Sequence, residues 1–151
     1  MSNNNDAIRV LEADDFERVA EIYNLTHMAE YAGESHPFPP QHLADSPSLL
    51  ELFHKSEVFV FDDEQIKGFI GHQGPNIIWL YVHPEHQGAG IGGLLIDFLL
   101  RQLNGIAVIS VVKTNHSALR LYQQRGFRVN GEYAFDYQGQ SVEALMLVAG
   151  F

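Results

Sequence analysis

Apolar positions run along this chain with two periods, and the switches between them mark out its elements. Ile8, Val10 and Leu11 predict a short strand over 8–11. Asp14 and Asp15 then offer caps to a helix whose apolar face carries Phe16, Val19, Ala20, Tyr23, Leu25 and Met28. Residues 31–40 hold three prolines and a glycine and read as a loop. Leu49, Leu50 and Phe53 share one face of a short helix over 46–55, and 58–61 and 66–72 form a hairpin turned at 62–65. Gly74-Pro75 breaks the chain before 77–82, a near-continuous apolar strand of the kind buried on both faces. From 90 to 103 the apolar residues Ile91, Leu94, Leu95, Phe98 and Leu99 give a clear amphipathic helix. A second all-apolar strand (106–112), a helix (115–124) and a closing hairpin (127–137 and 141–149) complete the order β-α-α-β-β-β-α-β-α-β-β. That order predicts a mixed α+β sheet in a single domain over 1–151.

Composition narrows the class. At 46% hydrophobic residues the chain can bury a core, and no apolar run approaches the roughly 20 residues of a membrane span. The polar start over residues 1–6 lacks a basic-plus-apolar leader, so a cytoplasmic protein is expected. The absence of cysteine excludes disulfides, thiolate metal sites and a cysteine nucleophile. A net charge of −10 argues against nucleic acid and anionic membranes as partners. The charge is uneven: residues 1–85 carry fifteen acidic and four basic side chains, residues 86–151 four and five. Solubility alone accounts for such a surface; attraction of a cationic ligand to the front half is the more specific reading.

Between the strand ending at Val82 and the helix starting near Gly90 lies His83-Pro84-Glu85-His86-Gln87-Gly88-Ala89-Gly90-Ile91-Gly92-Gly93. Glycines at such a junction let backbone N–H groups converge on an anion, and the helix dipole adds to their field. An acidic protein can thereby hold a polyanion without lysines. A dinucleotide fingerprint fits the same glycines formally. Its first strand, however, belongs near the start of the chain, and no acidic residue follows about 20 positions on.

With Gln87, Gly90 and Gly92 in the pattern Gln-x-x-Gly-x-Gly, preceded by Val82-x-Pro84, the sequence resembles the GNAT N-acetyltransferase superfamily. A second segment supports this, Asn115-x-x-Ala118-x-x-Leu121-Tyr122-x-x-x-Gly126-Phe127, and the close resemblance covers 76–130. The resemblance implies a mostly antiparallel, twisted central sheet of about seven strands with four helices, splayed between strands 4 and 5. It also implies an acetyl-CoA site. Gln87, Gly88, Ala89, Gly90, Ile91 and Gly92 would offer N–H groups to the pyrophosphate, with Gly93 beside them. Leu80, Tyr81 and Val82 would pair with the pantetheine arm through their backbone. Asn115 would reach the pantetheine or phosphate side, and Tyr122 would act as general acid on the departing sulfur. Tyr122 could otherwise be plain core, Asn115 a helix cap and Gly93 a packing residue.

The chemistry implied is transfer of an acetyl group to a primary amine, on a small molecule or a peptide. An alkyl ammonium near pKa 10.4 lies about 4.6 kcal/mol from its free amine at pH 7, so a general base is needed. Several members of the family carry a glutamate where this chain has Asn76, which cannot take a proton. Glu30 and His27 near the end of the first helix, His72 and His83 are the substitutes expected, with Glu30, His72 and His83 preferred. The missing glutamate leaves a non-catalytic, acetyl-CoA-sensing module as the alternative. The acceptor is expected among Tyr23, His27, Tyr31 and Phe38 on one side and Tyr133 and Phe135 on the other. A metal is not expected, since His83-x-x-His86 has no third ligand apparent. A monomer or homodimer fits the composition.

Overall fold

A computed structural model describes residues 7–150; the polar start over 1–6 and Phe151 lie outside the described residues. The strands are β1 (Ile8–Val10), β2 (Glu57–Asp63), β3 (Gln65–Gln73), β4 (Asn76–Val82), β5 (Ala107–Val112), β6 (Arg128–Tyr137) and β7 (Gln140–Ala149). The helices are α1 (Phe16–Thr26), α2 (Pro47–His54), α3 (Ile91–Gln102) and α4 (His116–Gln123). The strands form one sheet in the order β1-β2-β3-β4-β5-β7-β6. Every neighbouring pair is antiparallel except β4–β5. The expected fold is therefore the observed one.

Local chemistry sets several of the boundaries. Ser46 caps α2 by accepting the Leu49 N–H at 3.3 Å, and Pro47 follows at the first helical position, where its missing N–H costs nothing. Gln138 and Gly139 turn the β6–β7 hairpin, both at positive φ. Asp15 differs from the expectation that it caps α1 directly. It closes a capping box one turn earlier, accepting the Glu12 N–H at 2.7 Å, and its carboxylate pairs with Arg9 at 2.8 Å. The region after α1 also differs: residues His27–Tyr31 continue as a tighter 3-10 turn that carries the chain inward.

Helices cover the two faces of the sheet. Leu95, Ile96 and Leu99 of α3 pack with Ile70, Ile109 and Leu147 of the sheet in one core; Val19 and Ile22 of α1 and Phe53 of α2 pack with Leu43, Phe69 and Trp79 in the other. Leu95 and Leu99 are fully buried, so either changed to alanine would cost about 2–5 kcal/mol.

The parallel pair is short. β4 registers with β5 only at Asn76–Val108 and Ile77–Ile109 and then leaves it, while β5 continues along β7 to the Val112–Ala144 pair. Just past β4, the His83 N–H donates to Lys67 O, on the β3 side, at 2.8 Å. Because N–H directions alternate along a strand, those of Leu80 and Val82 face the opposite edge, where β5 has withdrawn. The sheet thus opens a V whose one wall is unpaired backbone.

Candidate active site

A cleft of about 420 Å³ fills the V. Its walls are Leu80, Tyr81 and Val82 of β4, Gln87, Gly88 and Gly92 of the glycine loop and α3, Asn115, Ser117, Ala118, Leu121 and Tyr122 at α4, and Thr26, Ala29 and Glu30 at the end of α1 and just after it. Among the described residues no lysine or arginine lines it. Anion binding here falls to the backbone. Gly88 and Gly90 sit at φ +85° and +82°, with open space where a Cβ would stand, and Gly90 leads directly into the first turn of α3. The Gln87 side-chain amide donates to Val82 O at 3.0 Å and ties the loop to the strand end.

Eight of the residues expected at a coenzyme line this cleft: Leu80, Tyr81, Val82, Gln87, Gly88, Gly92, Asn115 and Tyr122. Ala89 and Gly90 shape the loop behind the wall, and Ile91 turns into the core beneath α3. Gly93 lies under the Arg125 guanidinium, which a Cβ there would strike; Arg125 also pairs with Asp97 at 3.3 Å and so fastens α4 to α3. Asn115 stands at the start of α4 without capping it through its side chain, and its Oδ1 accepts from Ser117 Oγ at 3.4 Å.

Glu30 is the one charged residue on the cleft wall. It also lines two smaller cavities that open beside it. One, of about 150 Å³, runs between Tyr31, Ile78, Tyr122, Tyr133 and Phe135; the other, of about 180 Å³, runs between Tyr23, His27, Leu49, Trp79 and Tyr137. Desolvation raises the Glu30 carboxyl above the ordinary carboxylate range, opposed only by its interaction with the Tyr81 hydroxyl. Burial likewise raises the phenol of Tyr122, with the Glu30 charge adding to it. A buried phenol at this pH carries its proton, and a carboxylate of raised basicity accepts one. The sequence singled out both groups; it gave no sign that Tyr81 would meet Glu30 through its hydroxyl.

The histidines lie in different settings. His27 is 2% exposed; its Nδ1 donates to Tyr23 O at 2.9 Å, its Nε2 accepts the Gln41 N–H at 3.2 Å, and its ring stacks on Tyr23 at 4.5 Å. Desolvation lowers its pKa. His72 contacts Gly74 O at 2.9 Å and Glu57 at 3.0 Å, and is not on the cleft wall. His83 accepts the Glu85 N–H at 3.1 Å through Nδ1, lies 3.9 Å from Glu21 through Nε2, and is also off the wall. Of the four titratable groups weighed for proton removal, the structure brings only Glu30 to Tyr122. Phe38 is buried behind the acceptor side, packed on Tyr31 and Tyr137 at 5.4 and 5.0 Å.

Two further features escaped the sequence reading. Thr114 Oγ1 donates to Glu34 at 2.6 Å, joining the loop after α1 to the residue before Asn115. Glu85 brings a third donor to His83 and His86, all within 4.8 Å of one another, where the sequence reading counted two. Among the described residues no helix is long and apolar enough to cross a membrane.

Residues 54–129 match a family model described as an acetyltransferase (GNAT) domain. Over 91 residues the chain is 30% identical to the peptidyl-lysine N-acetyltransferase YjaB of Salmonella typhimurium, which covers 60% of this chain and 62% of that protein. Over 73 residues it is 32% identical to the spermine/spermidine N(1)-acetyltransferase of Bacillus subtilis, covering 43% and 47%. The chain thus spans less than two thirds of the length of either relative. In fold it is similar to a Salmonella typhimurium structure, YncA, described as an acetyltransferase with its cofactor acetyl-CoA, with a TM-score of 0.67, 20% identity and coverage of 93% and 91%.

Proposed function

Taking as premise that the chain belongs to the GNAT acetyltransferase domain family, we propose that it is a single-domain enzyme that moves an acetyl group from acetyl-CoA to a primary amine. Glu30 is the general base and Tyr122 the general acid. The observation that carries this reading is the meeting of the two groups on one cleft wall, each with its proton affinity raised by burial.

The residues present fit the coenzyme. The N–H groups of Leu80 and Val82 face the opening where β5 leaves β4, and Gly88 and Gly90 leave open space for a ligand to approach the loop at the start of α3. Acetyl-CoA, when bound, supplies the activated acetyl group. Val82 would donate its N–H to the acyl oxygen as negative charge develops there. Glu30 would take the proton of the incoming ammonium, alone or through the Tyr81 hydroxyl. Tyr122 would give its proton to the leaving sulfur. The metal-like trio at His83, Glu85 and His86 lies outside this scheme, and no metal is proposed for it.

The reading is tested by thermal-shift titration with acetyl-CoA, followed by thiol release with a panel of amines. Stabilisation together with amine-dependent release supports it. Stabilisation without release would support the acetyl-CoA-sensing alternative, and no stabilisation by any CoA ester would defeat both.

A further inference from the structure

We infer that the acceptor is a compact monoamine with an apolar or aromatic body, not a polyamine or a peptide lysine; this deepens the reading above and rests on it. Three features of the acceptor side lead there.

The first is charge. In both branch cavities Glu30 is the only charged side chain. His27, on the wall of one of them, has its pKa lowered by burial, and its Nε2 is already taken as acceptor of the Gln41 N–H. One carboxylate can receive one ammonium. A second ammonium within either branch would lose its water and find no second carboxylate in the lining, only apolar side chains, rings and neutral polar groups.

The second is size. The branches measure about 150 and 180 Å³, below the range of roughly 300–1,000 Å³ taken by drug-sized ligands. Rings of Tyr31, Tyr81, Trp79 and Phe135 form much of their walls, which suits a flat or short apolar body and offers ring faces to the cation.

The third is the roof. The loop over 31–40 is strapped down on both sides: Glu34 accepts from Thr114 at 2.6 Å, and Gln138 donates to Pro39 O at 3.2 Å. Between the straps Tyr31 stacks on Tyr137 at 4.3 Å, with Phe38 wedged against both rings. Tyr31 and Tyr137 of this roof line the branches, so an acceptor too bulky for them would have to displace a fastened loop.

The experiment measures thiol release from acetyl-CoA by the intact chain with 2-phenylethylamine, spermidine and a lysine-centred peptide as acceptors. We expect kcat/KM for the arylalkyl amine to exceed that of either other acceptor by about tenfold or more. A Leu49→Glu variant places a second carboxylate on the branch wall, in the first turn of α2 where acidic residues are tolerated. It should shift the spermidine-to-arylalkylamine ratio by about tenfold toward spermidine. Preference of the unaltered protein for spermidine or the peptide overturns the inference and leaves the transferase reading standing. An unmoved ratio in a folded Leu49→Glu variant overturns it too, since the branch would then lie outside the acceptor site. Acetyl-CoA binding with turnover of no amine overturns both readings together.

Discussion

Glu30 and the buried histidines began as rivals for one task, and their surroundings now separate them. His27, His72 and His83 are each 7% exposed or less; both ring nitrogens of His27 and His72 have a close backbone or carboxylate partner, and His83 has one at Nδ1 with the Glu21 carboxylate 3.9 Å from Nε2. Glu30 is only half-buried as a residue; it faces three cavities with the Tyr81 hydroxyl against it. The difference is spare capacity. A side chain whose hydrogen bonds are complete stabilises the fold; one held at a cavity with a shifted proton affinity and a lone pair to spare can do chemistry.

The contrast breaks most easily at the cleft itself. Glu30→Gln and Tyr122→Phe should each lower kcat by about 100-fold or more, the usual range for losing a positioned acid or base. The acetyl-CoA Kd, read by thermal shift, should move less than about threefold. Tyr122→Phe with full kcat would return Tyr122 to the core.

The glycine loop offers a subtler separation. At Gly92 a Cβ would meet Leu121 at an ordinary 3.6 Å, so Gly92→Ala should keep its Tm; projecting into the cleft, it should weaken acetyl-CoA binding by about tenfold. At Gly90, φ of +82° makes alanine strained, with an expected stability loss of about 1–2 kcal/mol by urea unfolding. Equal effects of the two substitutions on Tm would contradict this placement of the loop.

On the histidine side, His72→Gln should cost about 1–2 kcal/mol of stability and leave kcat within about twofold. A large kcat loss at unchanged stability would move His72 into the chemistry.

The smallest effect concerns pH. The folded-state pKa of Glu30 is raised, so burying its carboxyl is least costly at acid pH and stability from this group is lost as pH rises through that value. Glu30→Gln should therefore raise Tm at neutral pH, with the gain vanishing below the ordinary carboxylate range. Asp15 behaves oppositely: its bonds to Arg9 lower its pKa, and its contribution is lost on acidification.

How much of this was legible in the sequence follows from what each feature depends on. The elements were readable because apolar periodicity reports burial directly, as in α3 with Ile91, Leu95 and Leu99 on one face. The glycine-walled cleft was readable because glycines at a strand–helix junction have a local cause. The charge asymmetry was readable only as a number. In the fold, Asp15 and Asp62 go to Arg9, Glu51 to Lys55, Asp63 to Lys67 and Glu57 to His72, while Glu34 becomes a strap for the roof. One carboxylate of that acidic half, Glu30, reaches the cleft. The choice among Glu30, His72 and His83 was not legible, because it depends on contacts between residues distant in the chain: Tyr81 against Glu30, Glu57 against His72, Glu21 against His83.

The most direct test of the central claim is the pH dependence of kcat for amine acetylation at saturating acetyl-CoA, measured side by side for the unaltered protein and Glu30→Gln. The account predicts an acidic limb in the unaltered protein, displaced upward from the ordinary carboxylate range, that disappears in Glu30→Gln along with most of the rate. An identical acidic limb in both proteins, at comparable rate, would contradict it.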